Sequence, residues 1–266
     1  KPLSNFHINL YQDSTYYIYN LTRRILSVGI NPSSPEKNRE KKKTLMNYAR
    51  SDTIIDHVGN EHGLPLEDFE YYSYELMTGK ELLSTYKKAE LNNYDVILQN
   101  CWYDPGVREG REILNIPITG ICEASCHIGA ALGNKFSIIV GQKKWIAKME
   151  ENVVRYGFGS KIASWRDLDL HVQDLHDDHD NTLNMLIDVG TKCVKEDGAE
   201  SILTACGGFE PYAEEASEII GAPVINPTKA GVMFAEWLSD LHTSGFKFSK
   251  AITYQSPPED KINLLL

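Results

Sequence analysis

At 266 residues, with 42% hydrophobic and 24% charged side chains, the chain can bury a large core as one α/β unit or as two lobes of ordinary size. Its formal charge of −10 argues against a nucleic-acid partner, because the one basic cluster, Arg39 with Lys41 to Lys43, sits among polar residues and reads as a solvated helix face. No apolar run reaches the roughly 20 residues of a membrane span. The five cysteines are not spaced as a disulfide scaffold, which points to a reducing, cytoplasmic setting.

Residues 1–22 are polar and tyrosine-rich and read as an N-terminal arm; Asn20-Leu21-Thr22 matches a glycosylation sequon, a tripeptide common by chance. A β-branched run predicts a first strand at 25–30, followed by a helix over 36–50 and a second strand at 53–58. Three tyrosines and a phenylalanine crowd 69–74, suited to a pocket lid, an oligomer contact or plain packing. A helix is expected over 79–91, a strand over 96–100, a helix over 106–114 and a short strand near Ile118. Then come a helix over 124–132, a strand over 136–140, a helix over 143–156 and a short strand near Ile162. The polar loop that follows carries His171, His176, Asp177, Asp178 and His179, metal-ligand types without the spacing of a known site, so no metal is expected. The chain continues with a helix over 182–195, a strand over 202–205, a helix over 212–220, a short strand near Val224 and a last helix over 229–242. Several strands lack polar alternation, as strands covered on both faces do, and the strand–helix alternation predicts an α/β fold with parallel sheets.

Two segments are near copies. Asp95-Val96-Ile97-Leu98-Gln99-Asn100-Cys101 is followed by Asp104-Pro105, Glu112-Ile113 and Pro117-Ile118. Glu200-Ser201-Ile202-Leu203-Thr204-Ala205-Cys206 is followed by Glu210-Pro211, Glu218-Ile219 and Pro223-Val224. The repeat predicts two similar lobes, each a parallel sheet flanked by helices, with the active site in the cleft between them. The first lobe would hold 23–117 plus 228–266 and the second 118–227. Each cysteine falls at the carboxyl end of a strand, the edge at which open α/β sheets bind ligands. The helix expected after each would lower its thiol pKa, and the acid-proline pairs fit a helix start. Two thiols facing one cleft from opposite sides suit a reaction that takes a proton from one face of a carbon and returns it on the other. Cys122, Cys126 and Cys193 read as small core hydrophobes.

At these residues the chain resembles the aspartate/glutamate racemase superfamily, and within it the hydantoin and allantoin racemase branch. The resemblance rests on Asn31-Pro32-Ser33-Ser34 after the first strand, Cys101 with Asp104-Pro105-Gly106, the segment Pro117 to Ser125 with its Gly120-Ile121-Cys122-Glu123-Ala124 core, and Cys206-Gly207-Gly208. It spans nearly all of residues 23–242. It implies a cofactor-free racemase in which Cys101 and Cys206 are the two catalytic bases, one removing the proton α to a carbonyl and the other returning it. Trp102, Gly207 and Gly208 stand where amino-acid racemases of the superfamily grip carboxylate and ammonium, which implies a flatter, neutral ring such as a 5-substituted hydantoin or allantoin. Asn31, Ser33 and Ser34, with Glu123 and Ser125, complete the expected substrate pocket, and His127 lies one turn past Glu123. Gly141-Gln142, where the branch has hydroxyl residues, and Ser33-Ser34, where it has Asn-Thr, are departures that would touch that pocket. The expected partners are a small-molecule substrate and copies of the same chain in a homo-oligomer, with no nucleic acid and no membrane. Two rivals use the same residues: a cysteine-dependent cis–trans isomerase, and a two-lobed binding or redox-sensing protein.

Overall fold

The computed structural model describes residues 22–59 and 69–265. Apart from Thr22, the expected arm and its sequon lie outside the described residues. The remainder is α/β, with two four-stranded sheets, every pairing parallel. The first sheet contains β1 (Arg23–Val28), β2 (Thr53–Val58), β3 (Val96–Gln99) and β4 (Ile118–Gly120), in the order β2-β1-β3-β4. The second contains β5 (Phe136–Val140), β6 (Ile162–Asp167), β7 (Ser201–Thr204) and β8 (Val224–Ile225), in the order β6-β5-β7-β8. The two orders are the same once β5 is matched to β1. The duplication read around the cysteines therefore extends to the whole sheet.

All residues of β3, β5 and β7 are buried, as expected of central strands covered by helices on both faces. Between the strands run α1 (Pro35–Met46), α2 (Tyr72–Leu91), α3 (Val107–Ile113), α4 (Ile121–Leu132), α5 (Ile146–Arg155), α6 (His179–Lys195), α7 (Ala213–Ile220) and α8 (Pro227–Thr243), with a short α9 (Glu259–Ile262) near the end. None is long and apolar enough to cross a membrane. Helix α2 begins seven residues before the expected 79. Gly79 lies inside it because one glycine in a helix costs only about 1 kcal/mol, and Thr78, Leu82, Tyr86 and Ala89 bury a continuous face around it.

The switch from one sheet to the other falls after Gly120 rather than after Pro117, because Ile118 pairs with Ile97 and Thr119 with Leu98 in the first sheet. Helix α4 then leaves the first sheet and packs on β7 of the second, while α8 leaves the second and packs on β3, β4 and β1 of the first. The two helices also pack on each other. Matching glycines permit this. A Cβ on Gly129 of α4 would come within 2.5 Å of Leu203, and one on Gly231 of α8 within 3.0 Å of Leu98, the same leucine of the repeat. This reciprocal exchange sets the carboxyl ends of β3 and β7 across one cleft.

Candidate active site

Beyond β3 the chain passes Asn100 and Cys101 and turns, with the Asp104 N–H donating to the Cys101 carbonyl at 2.9 Å. Fully buried Tyr86 fixes the turn from beneath, its one hydroxyl shared between Gln99 Oε1 and the Pro105 carbonyl, each 2.8 Å away. Asp104 and Gly106 both take left-handed backbone, at φ 45° and 72°. Beyond β7, Cys206 opens a 3-10 turn over Gly207–Phe209, and the Gly208 N–H donates to Cys206 Sγ at 3.4 Å. A Cβ on Gly208 would meet buried Leu175 at 2.8 Å, so glycine is what lets the turn close over the sulfur.

The helices that follow the two turns start at Val107 and Ala213, six and seven residues past the thiols. Nor does Asp104 begin α3 as expected. Gly106 occupies that cap, and Asp104 instead caps α4: its carboxylate accepts from the Cys122 N–H at 3.1 Å, the Glu123 N–H at 2.9 Å and the Tyr156 hydroxyl at 2.8 Å. Gly120, the residue before α4, leaves the space for it; a Cβ there would stand 2.0 Å from Asp104 Oδ1. Glu210, the counterpart acid, accepts from the Tyr48 hydroxyl, and α8 is capped by its own Asn226, whose Oδ1 accepts from the Lys229 N–H at 3.0 Å.

Both cysteines line one cavity of about 310 Å³. Ile30, Asn31 and half-buried Lys41 approach it from the first sheet and α1, and Phe69 and Glu70 from the segment before α2. Trp145, Met149, Val172 and His176 close it from the second half, and Trp102 and Tyr103 from the Cys101 turn. Phe69, Trp102, Tyr103 and Trp145 form the aromatic part of its wall. Three lining residues keep buried polar atoms that have no hydrogen-bond partner among the described residues: Asn100 Oδ1, Trp102 Nε1 and Trp145 Nε1. An unpaired buried group costs about 1–3 kcal/mol, and all three atoms are closed to solvent within the wall. A wider depression of about 630 Å³ across α2, lined by Lys80, Lys88 and Asn92 among others, contains neither cysteine.

Burial governs both thiols. It pushes Cys101 well above the ordinary thiol value, against the one favourable backbone hydrogen bond from Tyr103, and the charges of Cys206 and Asp104 add to the rise. It raises Cys206 as well, but there the Gly208 N–H and the Lys41 ammonium pull the other way, with Glu70 opposing them. The expectation that helix termini would lower both pKa values gives way to desolvation as the larger effect.

Of the residues picked from sequence, the structure brings Asn31, Trp102, Gly207 and Gly208 together with Cys101 and Cys206. It sets the others apart from the cavity. Ser34 caps α1, accepting from the Lys37 N–H at 3.2 Å, and Ser33 sits beside it in the same loop. Glu123 is buried against Arg111 at 2.5 Å and Thr119 at 2.8 Å, and Ser125 donates to the Ile121 carbonyl at 2.6 Å. His127 lies between Phe158 and Phe234. In the polar loop His176 faces the cavity, His171 contacts Glu70 at 3.2 Å and Asp178 caps α6. No three metal-ligating side chains converge among the described residues.

Lys41, Asn100, Tyr103 and Trp145 were not expected at the site, and His176 was singled out only as a metal-ligand type. Asn100 had a usable signal in its place at a strand end beside a cysteine. Trp145 had one in Gly141, where a Cβ would strike the indole at 2.5 Å. Lys41 had none, being one lysine in a polar run.

Comparison with known proteins places this geometry in context. A family model described as Asp/Glu/Hydantoin racemase matches residues 28–235. A hydantoin racemase of Pseudomonas sp. (strain NS671) is 34% identical over 209 residues, 79% of this chain and 82% of that protein. One from Paenarthrobacter aurescens is 32% identical over 186 residues, 70% of this chain and 78% of that protein. Among solved structures, allantoin racemase from Klebsiella pneumoniae has a TM-score of 0.79 at 24% identity, covering 89% of this chain and 94% of that one, a likeness of fold.

Proposed function

The chain belongs to the Asp/Glu/Hydantoin racemase family and is a racemase, an isomerase, and from that premise we propose that it inverts C5 of 5-substituted hydantoins with Cys101 and Cys206 as paired bases. The observation that carries this reading is the convergence of two thiols, one from each repeat, on a single cavity.

In the forward step one cysteine, as thiolate, takes the C5 proton. The C–H electron pair moves onto the adjacent ring carbonyl and forms an enolate. The other cysteine, as thiol, then gives its proton to the opposite face as the carbonyl re-forms. The roles are exchanged at the end of the turnover, and the two thiols supply all the acid and base the reaction consumes, so the mechanism needs no cofactor. The Asn31 amide, at the cavity wall, is suited to donate to the developing oxyanion.

The ring assignment is supported by the lining. A hydantoin is a flat ring with N–H donors and carbonyl acceptors, and the Asn31 amide offers both kinds of partner in the same cavity as the two glycines of the Cys206 turn. Phe69, Tyr103, Met149 and Val172 favour an apolar or aromatic 5-substituent over the polar ureido group of allantoin. Asn31, Gly207 and Gly208 supply further contacts to the ring; Ser33, Ser34, Glu123 and Ser125 act on the frame around it.

The test is polarimetry of single-enantiomer 5-benzylhydantoin and of allantoin in heavy water. Decay of rotation with deuterium entering at C5, faster for the benzyl compound, supports the reading. Faster decay for allantoin would overturn the substituent assignment, and no decay with either would overturn the substrate class.

A further inference from the structure

Two tyrosines outside the cavity make the same contact in opposite directions. Tyr156 stands just past the end of α5 in the second half and donates its hydroxyl to Asp104 Oδ2 at 2.8 Å, in the turn that follows Cys101 of the first. Tyr48 stands just past the end of α1 in the first half and donates its hydroxyl to Glu210 Oε1, in the turn that follows Cys206 of the second. Helices α1 and α5 are equivalent elements. Each follows the first strand of its half, β1 or β5, and leads to the edge strand, β2 or β6. Asp104 and Glu210 are equivalent too, as the acids of the two acid-proline pairs. The halves therefore exchange a tyrosine hydroxyl, each reaching the acid that follows the other's cysteine.

Each acid stands at the end of the turn that its cysteine opens. The Asp104 N–H closes the first turn onto the Cys101 carbonyl at 2.9 Å, and the Phe209 N–H closes the second onto the Cys206 carbonyl at 3.0 Å, one residue before Glu210. Both contacts also meet the start of the helix that crosses to the other sheet. Asp104 caps α4, and Asn226 at the start of α8 donates to the Glu210 carbonyl and to the Tyr48 hydroxyl oxygen, each at 3.2 Å. On the first turn the grip is doubled. Asn152, one helical turn before Tyr156 on the same face, donates to the Tyr103 carbonyl at 2.6 Å, and its Oδ1 accepts from Arg155 at 2.7 Å. A hydroxyl bonded to a carboxylate is a short, directional contact, so each turn is fixed to the opposite half as well as to its own strand. A two-base reaction needs such fixing, because the two sulfurs must stand at opposite faces of one carbon.

We infer that Tyr156 and Tyr48 are paired positioning residues, Tyr156 holding the Cys101 thiol and Tyr48 the Cys206 thiol in place across the cavity. Neither tyrosine lines the cavity, so each acts through the acid and the turn that it holds. The role in racemisation rests on the two-thiol reading above; the crossed pairing is tested without substrate.

The test is the rate of iodoacetamide alkylation at each cysteine, resolved by mass spectrometry, in Tyr156→Phe, Tyr48→Phe and Tyr94→Phe enzyme. Phenylalanine keeps the ring and removes only the hydroxyl. Tyr94 is the control, since its hydroxyl donates to Asp56 at 2.8 Å, outside both turns. Tyr156→Phe should speed alkylation of Cys101 about tenfold, the scale of one lost hydrogen bond to a charged group, because a loosened turn opens its half-buried cysteine to the reagent. Cys206 should not respond. Tyr48→Phe should do the reverse, and Tyr94→Phe should move neither. Equal changes at both cysteines, or none, would overturn the inference. With C5-deuterated hydantoin of each hand, the isotope effects on kcat/KM should diverge between the enantiomers, in opposite senses in the Tyr156 and Tyr48 variants, because each slows proton transfer at one face. Parallel changes for both enantiomers would also overturn it. If alkylation responds crosswise while no hydantoin is racemised, the substrate reading fails and the positioning role stands.

Discussion

The two cysteine turns are built on the same strand order yet are held in different ways. Around Cys101 everything is tied down: Tyr86 holds the turn from below, Asp104 reaches across to cap α4, and Trp102 and Tyr103 fill the space beside the sulfur. Around Cys206 the turn is two glycines, the matching acid Glu210 is drawn off to Tyr48, and α8 caps itself with Asn226. The carboxylate beside the first thiol and the ammonium beside the second push their ionisation in opposite directions. Duplication produces two thiols at matching places. The side chains added afterwards make them unlike, which suits a pair that must hold one proton between them.

The sharpest way to break that comparison is to remove either thiol. Cys101→Ser and Cys206→Ser should each cost roughly 10³-fold in racemisation, within the range for a lost general acid or base, read as decay of optical rotation. A large loss in one variant only would mean that a single cysteine does the chemistry. Next in size is the cap that only the first half has. Gly120→Ala drives a methyl into the Asp104 carboxylate and should lower stability by about 3 kcal/mol, overpacking plus a lost helix cap, read as the urea midpoint. The third effect is on pH. Burial raises both thiols, so the thiolate is the minor form at neutral pH, and its share grows with pH. Racemisation at low substrate should therefore climb between pH 6 and 8, approaching about tenfold per unit well below the thiol pKa; a flat profile would contradict thiolate chemistry. The smallest effect is at the second half's own cap, where Asn226→Ala should cost about 1 kcal/mol, well under the loss at Gly120.

Some of this could be read directly from residues. Ile-Leu runs ending in cysteine marked both central strands, because a strand buried on both faces has to be apolar along its length, and their repetition announced two sheets. Asn31, Trp102, Gly207 and Gly208 were legible as neighbours of a strand end, where the fold class puts ligands. Glu123 and Ser125 were not separable from them, since a segment that repeats in a family is as easily kept for a buried Arg111 contact as for a substrate. Asp104-Pro105 misled for a related reason. A helix N-terminus favours an acceptor side chain, but the acceptor need not come from the same helix, and Gly120 left room for one from elsewhere.

By itself, then, the sequence determined the parallel α/β sheets, their duplication and the two thiols at the strand ends, all consequences of residues close together in the chain. The tertiary structure alone decided which helix covers which sheet, which carboxylate caps α4 and which lysine of three turns into the cavity. Those outcomes depend on burial and on charges brought together from α1, β3, β7 and the loops between. The field at a sulfur is a sum over neighbours in space, and periodicity along the chain carries no record of it.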